Sequence, residues 1–167
     1  IPDYYQMHDL SFPLSESAIT ISTASVQVGE YIFSFISDGI GVTNIDEGSF
    51  PVHFHAWFTG PGNSALFIVP EFWIRSGSTE YFVADERPLA LDDTVDKSYT
   101  ADITLTSSIV VNPTDRALLR FRASSKNGNP TAFMNVDGKT SAGIIIPVPS
   151  SNFVLKAGDS MTGNLTS

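Results

Sequence analysis

Short runs in which apolar and polar residues alternate recur along the chain, and they end at clusters of Gly, Pro, Asn and Asp. A period of two puts successive side chains on opposite faces of an extended strand. In Val52–Thr59, the residues Val52, Phe54, Ala56 and Phe58 form one face, and His53, His55 and Trp57 form the other. Arg116–Ser124 repeats the pattern. Ala117, Leu119, Phe121 and Ala123 share one face, Arg116, Arg120 and Arg122 share the other, and Leu118 breaks the rule. In Ala101–Thr106, Ile103 and Leu105 oppose Asp102, Thr104 and Thr106. On this basis strands are expected at Ala18–Val28, Tyr31–Ser37, Val52–Thr59, Ala65–Arg75, Thr79–Ala84, Tyr99–Val111, Arg116–Ser124 and Thr131–Val136.

The breaks carry turn chemistry: Asp38-Gly39, Gly60-Pro61-Gly62-Asn63, Asn112-Pro113 and Asn127-Gly128-Asn129-Pro130. Strands with one apolar and one polar face belong to antiparallel sheets that bury one side. No run carries apolar residues at the helical spacing over three turns, so helix is confined to a short piece of Asp92–Lys97 at most. The predicted fold is all-β, an antiparallel β-sandwich of jelly-roll type followed by a short extended C-terminal segment. Phe54, Phe58, Leu119 and Phe121 are its predicted core residues.

Three parts are expected along the chain: a sandwich module over residues 1–138, a linker or edge segment over 139–152, and a distinct segment over 153–167. The middle part is Ser, Gly and Pro around one apolar run, Ile144-Ile145-Ile146. Pro147 and Pro149 follow it and disfavour a central strand.

The last part contains Lys156-Ala157-Gly158-Asp159-Ser160-Met161-Thr162-Gly163-Asn164-Leu165. This resembles the phrase Lys-x-Gly-Asp-Thr-Met-Thr-Gly-x-Leu that opens trimeric repeats in phage tail fibres and related viral spikes, with Ser160 in place of Thr. Ile109–Arg122 is more loosely similar to late strands of the β-sandwich modules that precede such repeats. The resemblance implies a structural or adhesin module on the outside of a virion. It would form a homotrimer, assemble with other fibre or tail proteins and attach to a host-surface glycan. Leu155, Met161 and Leu165 are the apolar side chains of the segment, too few to make a core alone. Three copies around an axis would bury them together, which makes these residues the assembly candidates.

Composition narrows the partners. Charged residues are 16% of the chain, below the roughly 25% usual in soluble domains, so Ser, Thr, Asn and Gly must supply much of the polar surface. The net charge of −9 argues against a nucleic acid or an anionic membrane surface, both of which call for a basic patch. The absence of cysteine excludes disulfides, thiolate nucleophiles and cysteine-ligated metals. No apolar run approaches the ~20 residues of a helical membrane span. The first residues show no basic stretch followed by a long apolar run, so no signal peptide is expected there.

Three groups of residues carry candidate chemistry. His53 and His55 put two imidazoles on one strand face, a spacing that suits metal ligation. The fibre resemblance implies the same, since some viral fibres hold an ion with His-x-His on the trimer axis. The alternative is a polar or interface face. Trp57, Trp73 and Tyr81 are candidate platforms for stacking on sugars, or candidate packing and interface residues. Asp85, Glu86, Asp92, Asp93 and Asp96 lack the regular spacing of a calcium loop and read as a solvated stretch. Asn164-Leu165-Thr166 matches an N-glycosylation acceptor. No nucleophile elbow, phosphate-binding loop or His-Glu-x-x-His motif is present, so neither catalysis nor a cofactor is expected. The alternative to a fibre module is a jelly-roll carbohydrate-binding, lectin-like module. A glycan-hydrolase fragment stands third.

Overall fold

The computed structural model describes residues 5–8, 19–92, 94–136, 143–147 and 152–157. Its strands are β1 (Tyr5–His8), β2 (Ile19–Thr23), β3 (Tyr31–Gly39), β4 (Asn44–Ile45), β5 (Gly48–Thr59), β6 (Ala65–Ser76) and β7 (Thr79–Asp85). They continue with β8 (Leu89–Ala90), β9 (Lys97–Leu105), β10 (Ile109–Val110), β11 (Arg116–Asn127), β12 (Thr131–Val136), β13 (Gly143–Pro147) and β14 (Asn152–Ala157). Among the described residues there is no helix, including Asp92 and residues 94–97 of the stretch where a short one was allowed. The all-β expectation therefore holds.

Two layers face each other. One is β3–β11–β6–β7, with β8 beside β6; the other is β2–β12–β5, with β9 along the opposite side of β5. Pairing through β13, β14 and β1 joins the layers into one continuous hydrogen-bonded path. Every pairing is antiparallel except that of β1 with β3. Aromatic contacts cross the interior. The Phe54 ring of β5 meets Phe121 of β11 at 4.8 Å, and Phe50 of β5 meets Phe72 of β6 at 5.1 Å.

The alternation explains which side chains reach that core. Val52, Phe54, Ala56 and Phe58 are buried from β5, and Ala117, Leu119, Phe121 and Ala123 from β11. All four predicted core residues, Phe54, Phe58, Leu119 and Phe121, lie in one apolar cluster. Leu118 is buried as well, but outside that cluster. It pairs with Ile36 on one side and Trp73 on the other, on the outer face of its sheet.

Strand limits differ from the sequence expectations in ways that local chemistry explains. Within the expected run Ala18–Val28, β2 ends at Thr23, two residues before Ser25 turns the backbone to a positive φ of 51°. The expected run Tyr99–Val111 divides into β9 and β10 around Thr106, Ser107 and Ser108. There, Ser108 Oγ accepts a hydrogen bond from the Glu47 backbone N–H. β5 reaches back to Gly48 through Pro51. At Pro51 its partner is β9, and pairing on the other side begins only at Val52, so the missing N–H interrupts no ladder there. The Asn127–Pro130 turn needs Gly128. Its φ is +72°, and an added Cβ would stand 2.7 Å from Ser64 Oγ.

The apolar run Ile144–Ile146 forms the middle of β13, which pairs with β5 and with β14. Leu155 lies in β14 opposite Ile144, and Lys156 and Ala157 pair with β1. Met161, Leu165 and the Asn164-Leu165-Thr166 acceptor lie outside the described residues.

Candidate functional site

The three aromatic residues singled out in the sequence stand on three different surfaces. Trp73 lies on the outer face of the β3–β11–β6–β7 sheet. Arg120, at the centre of that face, is buried between two rings: its guanidinium carbon sits 4.8 Å from the Trp73 centroid and 5.1 Å from that of Tyr31. Arg120 Nη2 donates to Glu80 Oε1 at 2.7 Å. Glu71 is buried and accepts twice, from Arg122 Nε at 2.6 Å and from Trp73 Nε1 at 2.9 Å. The hydrogen bond to Glu71 raises the Arg122 pKa, fixing its charge. Burial, then the charge of Glu71, holds the Tyr31 phenol above its ordinary value. Trp73 closes the row edge-on against Phe82 at 5.6 Å. This network neutralises its own charges and fixes its rings, so it acts as a structural clamp. The alternation places Arg120 on this face, and Tyr31 and Trp73 cover it there.

Trp57 lies on the outer face of the opposite sheet, stacked on Phe133 at 5.3 Å and 10°. His53 and His55 share that face, with ring centroids 5.3 Å apart. His55 Nδ1 is 3.1 Å from Asp96 Oδ1, and Asn135 Nδ2 donates to Asp96 Oδ2 at 2.9 Å. Thr20 Oγ1 donates to Asn135 Oδ1 at 2.7 Å, so a polar chain crosses from β5 through β12 to β2. His53 titrates below the ordinary histidine value, through desolvation first and the neighbouring His55 second. The two imidazoles are brought together as the spacing implies. Among the described residues, however, no three His, Asp or Glu side chains converge as a metal site.

Tyr81 projects from the other face of β7, into a cleft of about 520 Å³ where the edges of the two sheets part. Among the described residues β7 has only β6 as its sheet neighbour and β9 only β5, so their outer edges meet here. Ile74, Val83, Leu105 and Val111 form an apolar floor. The rim carries Tyr81 and Val110, 55% and 89% exposed, with Thr104, Thr106, Ser107 and Asn112. Asp115 also lines the cleft, but it is buried and its Oδ2 accepts from the Asn112 backbone N–H at 2.9 Å. No Lys or Arg is among the lining residues. Of these residues only Tyr81 stood out in the sequence. Val110 and Asn112 sit in a short strand and a turn whose spacing gives no sign of a cleft.

No family model matches the sequence, and no curated protein matches it. Solved structures do resemble the fold. A CocE/NonD family hydrolase from Staphylococcus aureus superposes with a TM-score of 0.58 at 10% identity, over 93% of this chain and 37% of that one. A second structure of a CocE/NonD family hydrolase from the same organism gives 0.51 at 11% identity, over 85% and 33%. A carbohydrate-binding module of the β-sandwich superfamily gives 0.41 at 12% identity, over 72% of this chain and 53% of that one. The chain thus spans about a third of the hydrolases it resembles. At these identities the likeness to the hydrolases shows the fold alone.

Proposed function

We propose that this chain is a non-catalytic assembly and attachment module of a trimeric viral fibre or tail spike. The observation that carries this reading is the junction between the sandwich and the fibre-like phrase. Lys156 and Ala157, which open the phrase, are the last two residues of β14, paired with β13 and β1. The phrase therefore starts from a strand of the sandwich itself, and an axial repeat grown from it would hold three sandwiches in register. Trimer contacts within the sandwich would come from the outer face that carries His53, His55 and Trp57. Those side chains are fixed by stacking and by the Asp96–Asn135–Thr20 chain, so assembly would order little that is not already ordered.

Light scattering tests the reading. The full chain is expected at the mass of three 18.1 kDa copies, about 54 kDa, by closed rotational symmetry. A version ending at Ser150 would show whether β14 and the phrase are needed. Monomers in both, at high concentration, would overturn the fibre assignment.

A further inference from the structure

We propose that the cleft at the β7/β9 edge binds a neutral saccharide, with the Tyr81 ring as its stacking platform. The inference rests on the attachment reading, and it names the ligand chemistry and the place.

Size comes first. The cleft volume of about 520 Å³ lies within the roughly 300–1,000 Å³ typical of small-ligand sites. The chemistry of the walls comes second. A sugar ring has apolar C–H faces and a hydroxyl perimeter, so it needs a flat apolar surface ringed by groups that donate and accept hydrogen bonds. Tyr81 supplies the flat surface at 55% exposure, above the apolar floor formed by Ile74 and Val83. Thr106, Ser107 and Asn112 supply hydroxyl and amide groups, each able to donate and to accept, while the Thr104 hydroxyl is paired with Ser49 Oγ at 2.9 Å. A purely apolar ligand would strip water from these groups without replacing it.

Charge comes third. A sialylated or uronic glycan brings a carboxylate, whose recognition calls for Arg or Lys. The cleft has neither, and the chain carries a net charge of −9. The Asp115 carboxylate, already held by the Asn112 backbone, would oppose an anion further.

The network around Trp73 lacks these properties. There the indole is committed to Glu71 and the ring face to Arg120. Trp57 is likewise stacked on Phe133. Of the three aromatic candidates, Tyr81 is the one that lines this cleft.

The test uses the full chain with maltotetraose, cellotetraose and lacto-N-neotetraose as neutral probes and 3′-sialyllactose as the charged comparator. Binding is read by saturation-transfer NMR and calorimetry. At least one neutral probe is expected to bind, more tightly than the sialylated one. Tyr81→Ala should weaken it by about tenfold or more, as truncating an aromatic anchor does. Tyr81→Phe, which keeps the ring, should retain binding within about threefold, a difference well under the 1.4 kcal/mol of a tenfold change. Val28→Ala, at an exposed position outside both the cleft and the β5 face, should leave binding unchanged. The Tyr81 side chain is largely exposed, and circular dichroism of each variant checks its fold. No neutral probe binding at about 10 mM, weaker than any useful millimolar affinity, would overturn the proposal. So would binding that survives Tyr81→Ala, or a preference for the sialylated probe. Light scattering on the same samples separates this from the fibre assignment. A trimer that ignores sugars sinks the cleft alone, and a monomer that binds them sinks the fibre alone.

Discussion

Replacing Phe121 with Ala probes the centre of the sandwich. Phe121 is fully buried in the middle of β11, between Phe33 of β3 and Pro70 of β6. Its ring meets Phe35 edge-on at 6.1 Å and Phe54, across the interior, at 4.8 Å. Phe54 in turn stacks on Tyr99 at 5.2 Å, so the lost ring supports a chain of aromatics reaching β9. Truncating a buried Phe costs about 3–5 kcal/mol. Two aromatic pairs, each worth about 0.5–1.5 kcal/mol beyond area, put this case in the upper half of that range. A domain of this size has about 5–15 kcal/mol in total, so the variant should fold in the cold and unfold early. Urea unfolding followed by tryptophan fluorescence measures the loss, since Trp57 and Trp73 report from opposite sheets. Val110→Ala, at an 89% exposed position, is the control and should stay within about 0.5 kcal/mol. A loss below about 1 kcal/mol for Phe121→Ala, with an unchanged denaturant slope, would refute the interior packing described above.

Two further predictions concern polar groups. Glu71→Gln removes the charge that Arg122 and Trp73 share and should cost about 2 kcal/mol, reduced from a fully buried pair because Arg122 is part-exposed; chemical denaturation measures it. For His53, the folded pKa is depressed below 6.5, so the folded state binds fewer protons than the unfolded one in the window below that value. Its contribution to stability is complete above pH 6.5 and is lost as pH falls towards the folded pKa. His53→Asn should flatten that part of the urea-midpoint profile between pH 7.5 and 5, and an unchanged slope would refute the assignment.

The fold was legible because burial on one face writes itself into a period of two. β5 and β11 were readable down to single residues for this reason, since every second side chain enters the core. Leu118 broke the pattern in sequence and is buried in the structure, because Ile36 and Trp73 flank it across the sheet. The burial of Arg120 was hidden for a related reason. Its alternation gives the correct face, but the two rings that bury it come from β3 and β6, 89 and 47 positions away. The cleft was illegible in the same way. Tyr81 and Val110 meet only because two sheet edges part beside the short β10, and no local spacing encodes the gap between two edges.

How the charges are distributed separates the surfaces by role. Arg75, Arg116, Arg120, Arg122 and Lys97 each stand beside a carboxylate of the same chain. Much of the positive charge is therefore used in holding strands together, and the excess of acidic groups remains for the surface. Three copies brought together as proposed would have to overcome the mutual repulsion of a net charge of −9 each, which their contact must offset. The Trp57–Phe133 face, with its histidines and with Asp96 held by His55 and Asn135, would offer aromatic and hydrogen-bonding contacts for it. The cleft lining likewise holds no Lys or Arg, so under the proposal above it would disfavour anionic glycans. As proposed, assembly on the β5 face and attachment at the β7/β9 edge would use different residues. A trimer closed through the first would leave the Tyr81 clefts free to act together on a multivalent surface, where three weak sites bind far more tightly than one.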